Sequence, residues 1–102
     1  MNFIEKELLA KISHPERAVS AGVRPENIIL TRSAQGTSGH FGQGKVVLVE
    51  PLGSTAYVHV AIMGHYIVCE VRGEQFPALE ETVFLEIATE KIFFFDSEGN
   101  RL

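Results

Sequence analysis

TAYVHVAIMGHYIVCEVR, residues 55–72, decides the fold. Val58, Val60 and Ile62 fall on one side of an extended chain, and Tyr57, His59 and Ala61 on the other. Past Met63-Gly64-His65 the alternation resumes, with Ile67, Cys69 and Val71 opposed to Tyr66, Val68 and Glu70. Two period-2 runs rich in β-branched and aromatic residues, joined by a tight glycine turn, predict a β-hairpin. Working outward, TVFLEIA (82–88) sets Val83, Leu85 and Ile87 against Phe84 and Glu86. Further strands are expected at FIEKELL (3–9), NIILTR (27–32), KVVLVEPL (45–52) and EKIFFFD (90–96). Breaks fall at Arg72-Gly73-Glu74, Phe76-Pro77-Ala78 and Ser97-Glu98-Gly99-Asn100, and SAQGTSGHFGQG (33–44) reads as a mobile glycine-rich loop. No 3.6-residue period is sustained. His14-Pro15-Glu16-Arg17 and Arg24-Pro25-Glu26-Asn27 each suit a single helical turn opened by proline. RPENIIL (24–30) and ATEKIFFF (88–95) echo one another, each placing a polar turn before an apolar strand. Many short strands with frequent turns imply an all-β barrel or sandwich.

The 102 residues amount to one domain, with 45% hydrophobic content as material for one core. The 9 basic residues are scattered against 13 acidic ones, so no basic face is available to displace counterions from nucleic acid. Stacking of single-stranded bases on Tyr57, Tyr66 or the phenylalanines meets the same objection. The single cysteine, Cys69, lies in an apolar run and forms no internal disulfide; it reads as a small core residue. No apolar run reaches the ~20 residues of a membrane helix. The opening MNFIEKELLAK carries Glu5 and Glu7 and does not read as a secretory signal, so the cytoplasm is the expected location.

GHFGQGK (39–45) fits the frame of a nucleotide-binding P-loop. A working loop follows a strand, continues into serine or threonine and opens a helix on which phosphate rests. Here Val46 follows Lys45 and the β-branched run KVVLVEPLG prefers a strand, so the stretch reads as a connector. His14, His40, His59 and His65 offer no converging ligand set; His59 and His65 approach one another only if the hairpin turn permits. Ser54 and Ser97 lack a His–acid arrangement, and Glu80-Glu81 reads as a solvated pair entering a strand. No catalytic, metal or cofactor site is expected. Phe93-Phe94-Phe95 is different. Alternation leaves either one or two of these rings outside, which calls for a covering segment or a partner.

Taken in order, G-V-R-P-E-N-I (22–28), V-E-P-L-G-S (49–54), Y-V-H-V (57–60), E-K-I-F-F-F-D (90–96) and G-N-R-L (99–102) resemble the C-terminal region of ATP-binding subunits of carbohydrate ABC importers of the maltose, multiple-sugar and glycerol-3-phosphate type. The opening MNFIEKELL (1–9) is similar to the segment that follows their nucleotide-binding domain, with Lys6 where glycine is common. The resemblance covers nearly the whole chain. It implies a single TOBE domain, an OB-like antiparallel β-barrel of about six to eight short strands. Residues 1–20 would be a lead-in from a nucleotide-binding domain and 21–102 the barrel. It also implies a non-catalytic role, without cofactor: holding two ATPase subunits together as a homodimer, beside membrane permease subunits, and in some members binding a regulatory protein. The contact residues expected are Arg24, Glu26 and Asn27 at the first turn and Phe93, Phe95 and Asp96 near the end, with Arg24 reaching a carboxylate across a subunit boundary. The alternative is a small-ligand site for a sugar or oxyanion at the barrel mouth.

Overall fold

The computed structural model describes residues 1–32, 40–73, 76–87 and 89–102. The hairpin forms as the alternation dictates. β5 (Thr55–Ile62) and β6 (His65–Arg72) pair antiparallel from Ile62↔His65 to Thr55↔Arg72. The loop is Met63-Gly64, both at positive φ (50° and 80°), the backbone of the two-residue turn whose twist matches that of its strands.

Around the hairpin a five-stranded antiparallel sheet runs in the order β3-β7-β4-β5-β6, with β3 (Ile28–Thr31), β4 (His40–Leu52) and β7 (Thr82–Ile87). A three-stranded sheet runs β1-β2-β8, with β1 (Asn2–Glu5), β2 (Ser20–Val23) and β8 (Phe93–Phe95). The architecture is that of a small OB-like all-β barrel, although the two sheets do not close into one hydrogen-bonded ring among the described residues. Their inner faces share one core. Val46, Val58, Val60, Ile62, Ile67, Cys69, Val83, Leu85 and Ile87 meet Ile4, Ala21, Val23 and Ile92 there. Each valine, leucine or isoleucine buried there stabilises the fold by roughly 1.5–3 kcal/mol.

Three expectations change. The strand expected over 3–9 stops at Glu5, and α1 (Lys6–Leu9) follows as one helical turn. Leu8 and Leu9 are consecutive and both buried, with Ile12 beside them in the core. A strand would turn one of the two leucines outward, whereas a helical turn followed by a bend delivers both. The loop expected over 33–44 is overturned at 40–44, which are the start of β4, paired with β7; the rest of that expectation, 33–39, lies outside the described residues. Gly42, at φ +143°, stands at the irregularity between His40 and Gly42, where the register shifts. No helix begins at Lys45, which pairs with Ala61 and Thr82 inside the sheet. Finally, Glu81 is not merely solvated. It accepts hydrogen bonds from Arg32 and from the backbone N–H of Ala78 (3.0 Å), and these hold its carboxyl below the usual carboxylate range. Of the expected chain breaks, Glu74 lies outside the described residues.

The echo between 24–30 and 88–95 corresponds to two 3-10 turns, Pro25–Asn27 before β3 and Thr89–Lys91 before β8. Proline takes the first position of the former, where a missing N–H costs nothing. His14–Arg17 makes only a turn, closed by the Ala18 N–H on the Pro15 carbonyl at 3.0 Å.

A polar side chain, that of Asn2, ties the two sheets together. Asn2 is 8% exposed. Its Nδ2 donates to the Val68 carbonyl and its Oδ1 accepts from the Val68 N–H, both at 2.8 Å. β6 is an edge strand, and Asn2 pairs with its free edge as the peptide group of a further strand would.

Candidate functional site

The outer face of the β1-β2-β8 sheet carries the phenylalanines that alternation cannot bury. Register places Phe3, Gly22 and Phe93 in one row across the three strands, and Glu5, Ser20 and Phe95 in the next. The intervening row, Ile4, Ala21 and Phe94, faces the core. Phe3 is 65% exposed and packs obliquely on Phe95 with ring centroids 6.4 Å apart. The Met1 thioether lies over Gly22, whose lack of a side chain admits it: a β-carbon there would sit 2.4 Å from Sδ.

Two guanidinium groups flank this surface. Arg24, just before the first 3-10 turn, holds Cζ 5.9 Å from the Phe93 centroid; Arg101 holds its own at 4.4 Å. Such contacts draw on the negative face of the ring. Asp96 serves the turn that brings Arg101 into place. Its Oδ1 accepts the N–H groups of Glu98 and Asn100, each at 2.9 Å, while Oδ2 lies 3.8 Å from Arg17. The backbone then bridges Phe95 to Arg101, extending the sheet past β8.

The structure thus brings Arg24, Phe93 and Phe95 together, with Asp96 shaping the rim. Glu26 and Asn27 go elsewhere. Asn27 closes its own turn through its N–H on the Arg24 carbonyl (2.9 Å). Glu26 lines an open cleft of about 550 Å³ between β3 and β6, shared with Ile28, Leu30, Glu70 and Arg72. Sequence reasoning missed Phe3, Met1 and Arg101 as members of the aromatic face. The only available signal was the spare apolar face of Phe3 in a strand running Asn-Phe-Ile-Glu.

The other candidate chemistry disperses. His59 faces Glu50 on the outside of the large sheet, and His65 lies 3.4 Å from Glu7 of α1. Among the described residues no group of three potential metal ligands converges, and no helix is long and apolar enough to cross a membrane. Cys69 is fully buried, and burial pushes its thiol up to about 12. The thiolate is the reactive species. Iodoacetamide at pH 8 is therefore expected to leave the folded chain unmodified over hours and to alkylate it within minutes in denaturing urea. Rapid alkylation of the folded chain, read by mass spectrometry, would contradict this burial.

Comparison with known proteins bears on the family. The chain is 29% identical over 93 residues to the sn-glycerol-3-phosphate import ATP-binding protein UgpC of Brucella abortus (strain 2308), a match covering 89% of this chain and 26% of that protein. The protein of the same name from Brucella suis biovar 1 (strain 1330) matches equally, so the chain spans about a quarter of the length of these relatives. The model of the TOBE domain family matches residues 21–95, which takes in β2 from Ala21 on, both 3-10 turns and the whole five-stranded sheet through to β8. With so much of the fold inside that match, the chain belongs to the TOBE domain family.

Proposed function

We propose that this chain is the non-catalytic accessory domain of the ATP-binding subunit of a carbohydrate-type ABC importer, and that it associates with its own kind through the outer face of the β1-β2-β8 sheet. Membership of the TOBE family supports the first part, as do relatives named as import ATP-binding proteins. The observation that carries the second is the cluster of Phe3, Phe93 and Phe95 on one open sheet face, flanked by Arg24 and Arg101. Exposed aromatic patches of this kind mark contact surfaces, and aromatic and arginine residues dominate their energetics. In the parent protein the domain pairs two ATPase subunits beside the permease on the cytoplasmic side. The same face, or its rim at Asp96, receives a regulatory protein. Glu26 and Asn27, around the turn from Arg24, belong to the periphery of that contact.

Sedimentation of the purified chain tests the reading. Phe93→Ala and Phe95→Ala are each expected to weaken self-association about thirtyfold, while the melting transition moves little because both rings are only half-buried. Variants that dimerise as the parent does, a parent that stays monomeric at millimolar concentration, or ATP turnover by the purified chain would each overturn it.

A further inference from the structure

The second row of the aromatic face holds more than Phe95. Read across the strands, it runs Glu5, Ser20, Phe95 and then, through the backbone bridge, Arg101. An acid stands at one end and a base at the other. Three strand spacings separate them, about 14 Å, too far for an ion pair within the chain. Glu5 and Arg101 are both exposed, and among the described residues neither has an opposite charge within 4.0 Å.

We infer that Glu5 and Arg101 pair between two copies of this chain, so that the face selects a second copy of itself. The inference rests on the self-association proposed above and adds its specificity. A twofold axis set between two facing sheets, parallel to the strands and above the gap between β2 and β8, lays the row on its own reversed copy. Glu5 then stands opposite Arg101 of the second copy, and Arg101 opposite its Glu5. Ser20 meets Phe95, and Gly22 with its Met1 cover meets Phe93. A two-fold contact is isologous: whatever one copy offers, the other must accept. A row ending in opposite charges satisfies that condition, whereas a row of one sign would repel itself. Arg101 is held for the role by its contact with the Phe93 ring, which restricts a side chain that would otherwise lose much rotamer freedom on binding. In a chain of net charge −4, this places a basic group where an acidic neighbour can reach it.

Charge reversal tests the pairing. Glu5→Arg gives a row with two basic ends, and Arg101→Glu a row with two acidic ends. Each variant alone is expected to self-associate at least about tenfold more weakly than the parent, since like charges now face each other. An equimolar mixture restores both pairs, because each reversed end meets the unlike end of the other variant. Sedimentation and native mass spectrometry of the mixture should show the heterodimer at parent-like affinity and few homodimers. Melting curves confirm that both variants are folded. If the single variants dimerise as the parent does, or the mixture recovers nothing, the Glu5–Arg101 pairing is wrong, while loss of dimer in Phe93→Ala would keep the aromatic face as the contact. A monomeric parent would remove both.

Discussion

Asn2→Leu is expected to lower stability by about 2 kcal/mol, the cost of stranding two half-buried backbone groups, and to drop the melting temperature by roughly 10 °C. Leucine fills a similar volume, so the loss isolates the hydrogen bonds. The Val68 N–H and carbonyl, each now 2.8 Å from the Asn2 amide, would face apolar surface on the free edge of β6. Amide exchange at Val68 should accelerate more than at its neighbours on the paired side of the strand. Asn2→Asp sharpens the test. An ionised carboxylate can still accept from the Val68 N–H, but it opposes the carbonyl; a protonated one can donate to it. Relative to the parent at each pH, that variant should therefore be weakest near neutrality and recover below about pH 4. Leucine at position 2 melting within 2 °C of the parent would show that the bracket between the sheets contributes nothing.

Gly44→Ala should cost about 3 kcal/mol, at the upper end for overpacking a tight interior. A β-carbon at this position would stand 2.5 Å from Val60 Cγ1 and 2.7 Å from the Ala61 carbonyl oxygen. The carbonyl belongs to the backbone of β5 and cannot turn aside. Gly44 is not among the glycines at positive φ, so the penalty is steric and not conformational. Pairing the change with Val60→Ala removes one of the two obstacles. Thermal or urea unfolding of the double variant should then show a loss smaller than the sum of the singles. Additive losses would mean that the strands separate here by some other movement. The glycine of the nucleotide-like frame thus has a plain purpose: it lets β4 lie close against β5.

What could be foreseen and what could not divides along physical lines. The hairpin was legible because both strands alternate cleanly and two residues between them accept positive φ. The proline-led turn at 25–27 was legible for an equally local reason. The start of β4 was not, since Gly42 and Gly44 carry no side chain with which to announce a strand, and only the contacts of Gly44 with β5 explain its presence. Nor was α1, where Leu8 and Leu9 fit a strand by composition and are told apart only by both being buried. Alternation foretold that rings of Phe93-Phe94-Phe95 would be left outside. It could not say that Phe3, Arg24 and Arg101 would meet them, because those residues come together only through the pairing of β1 and β8 with β2. Glu26, two positions from Arg24, reads as a contact residue of the first turn; that it also lines the cleft beside β6 depends on the packing of β3 against β6 and could not be read locally.

The placement of β2 between β1 and β8 bears on how the molecule comes into being. Asn2 must find Val68, a separation of 66 residues, and β2 must wait for residues 93–95 before its second edge is covered. Links this distant in sequence are slow to form, since a large loop must close before any contact repays it. On a ribosome, the hairpin at 55–72 can mature while the small sheet stays open. The surface that would join two copies is thus completed only after residues 93–101 have joined β2, and a half-made chain offers no more of it than Phe3 and Glu5.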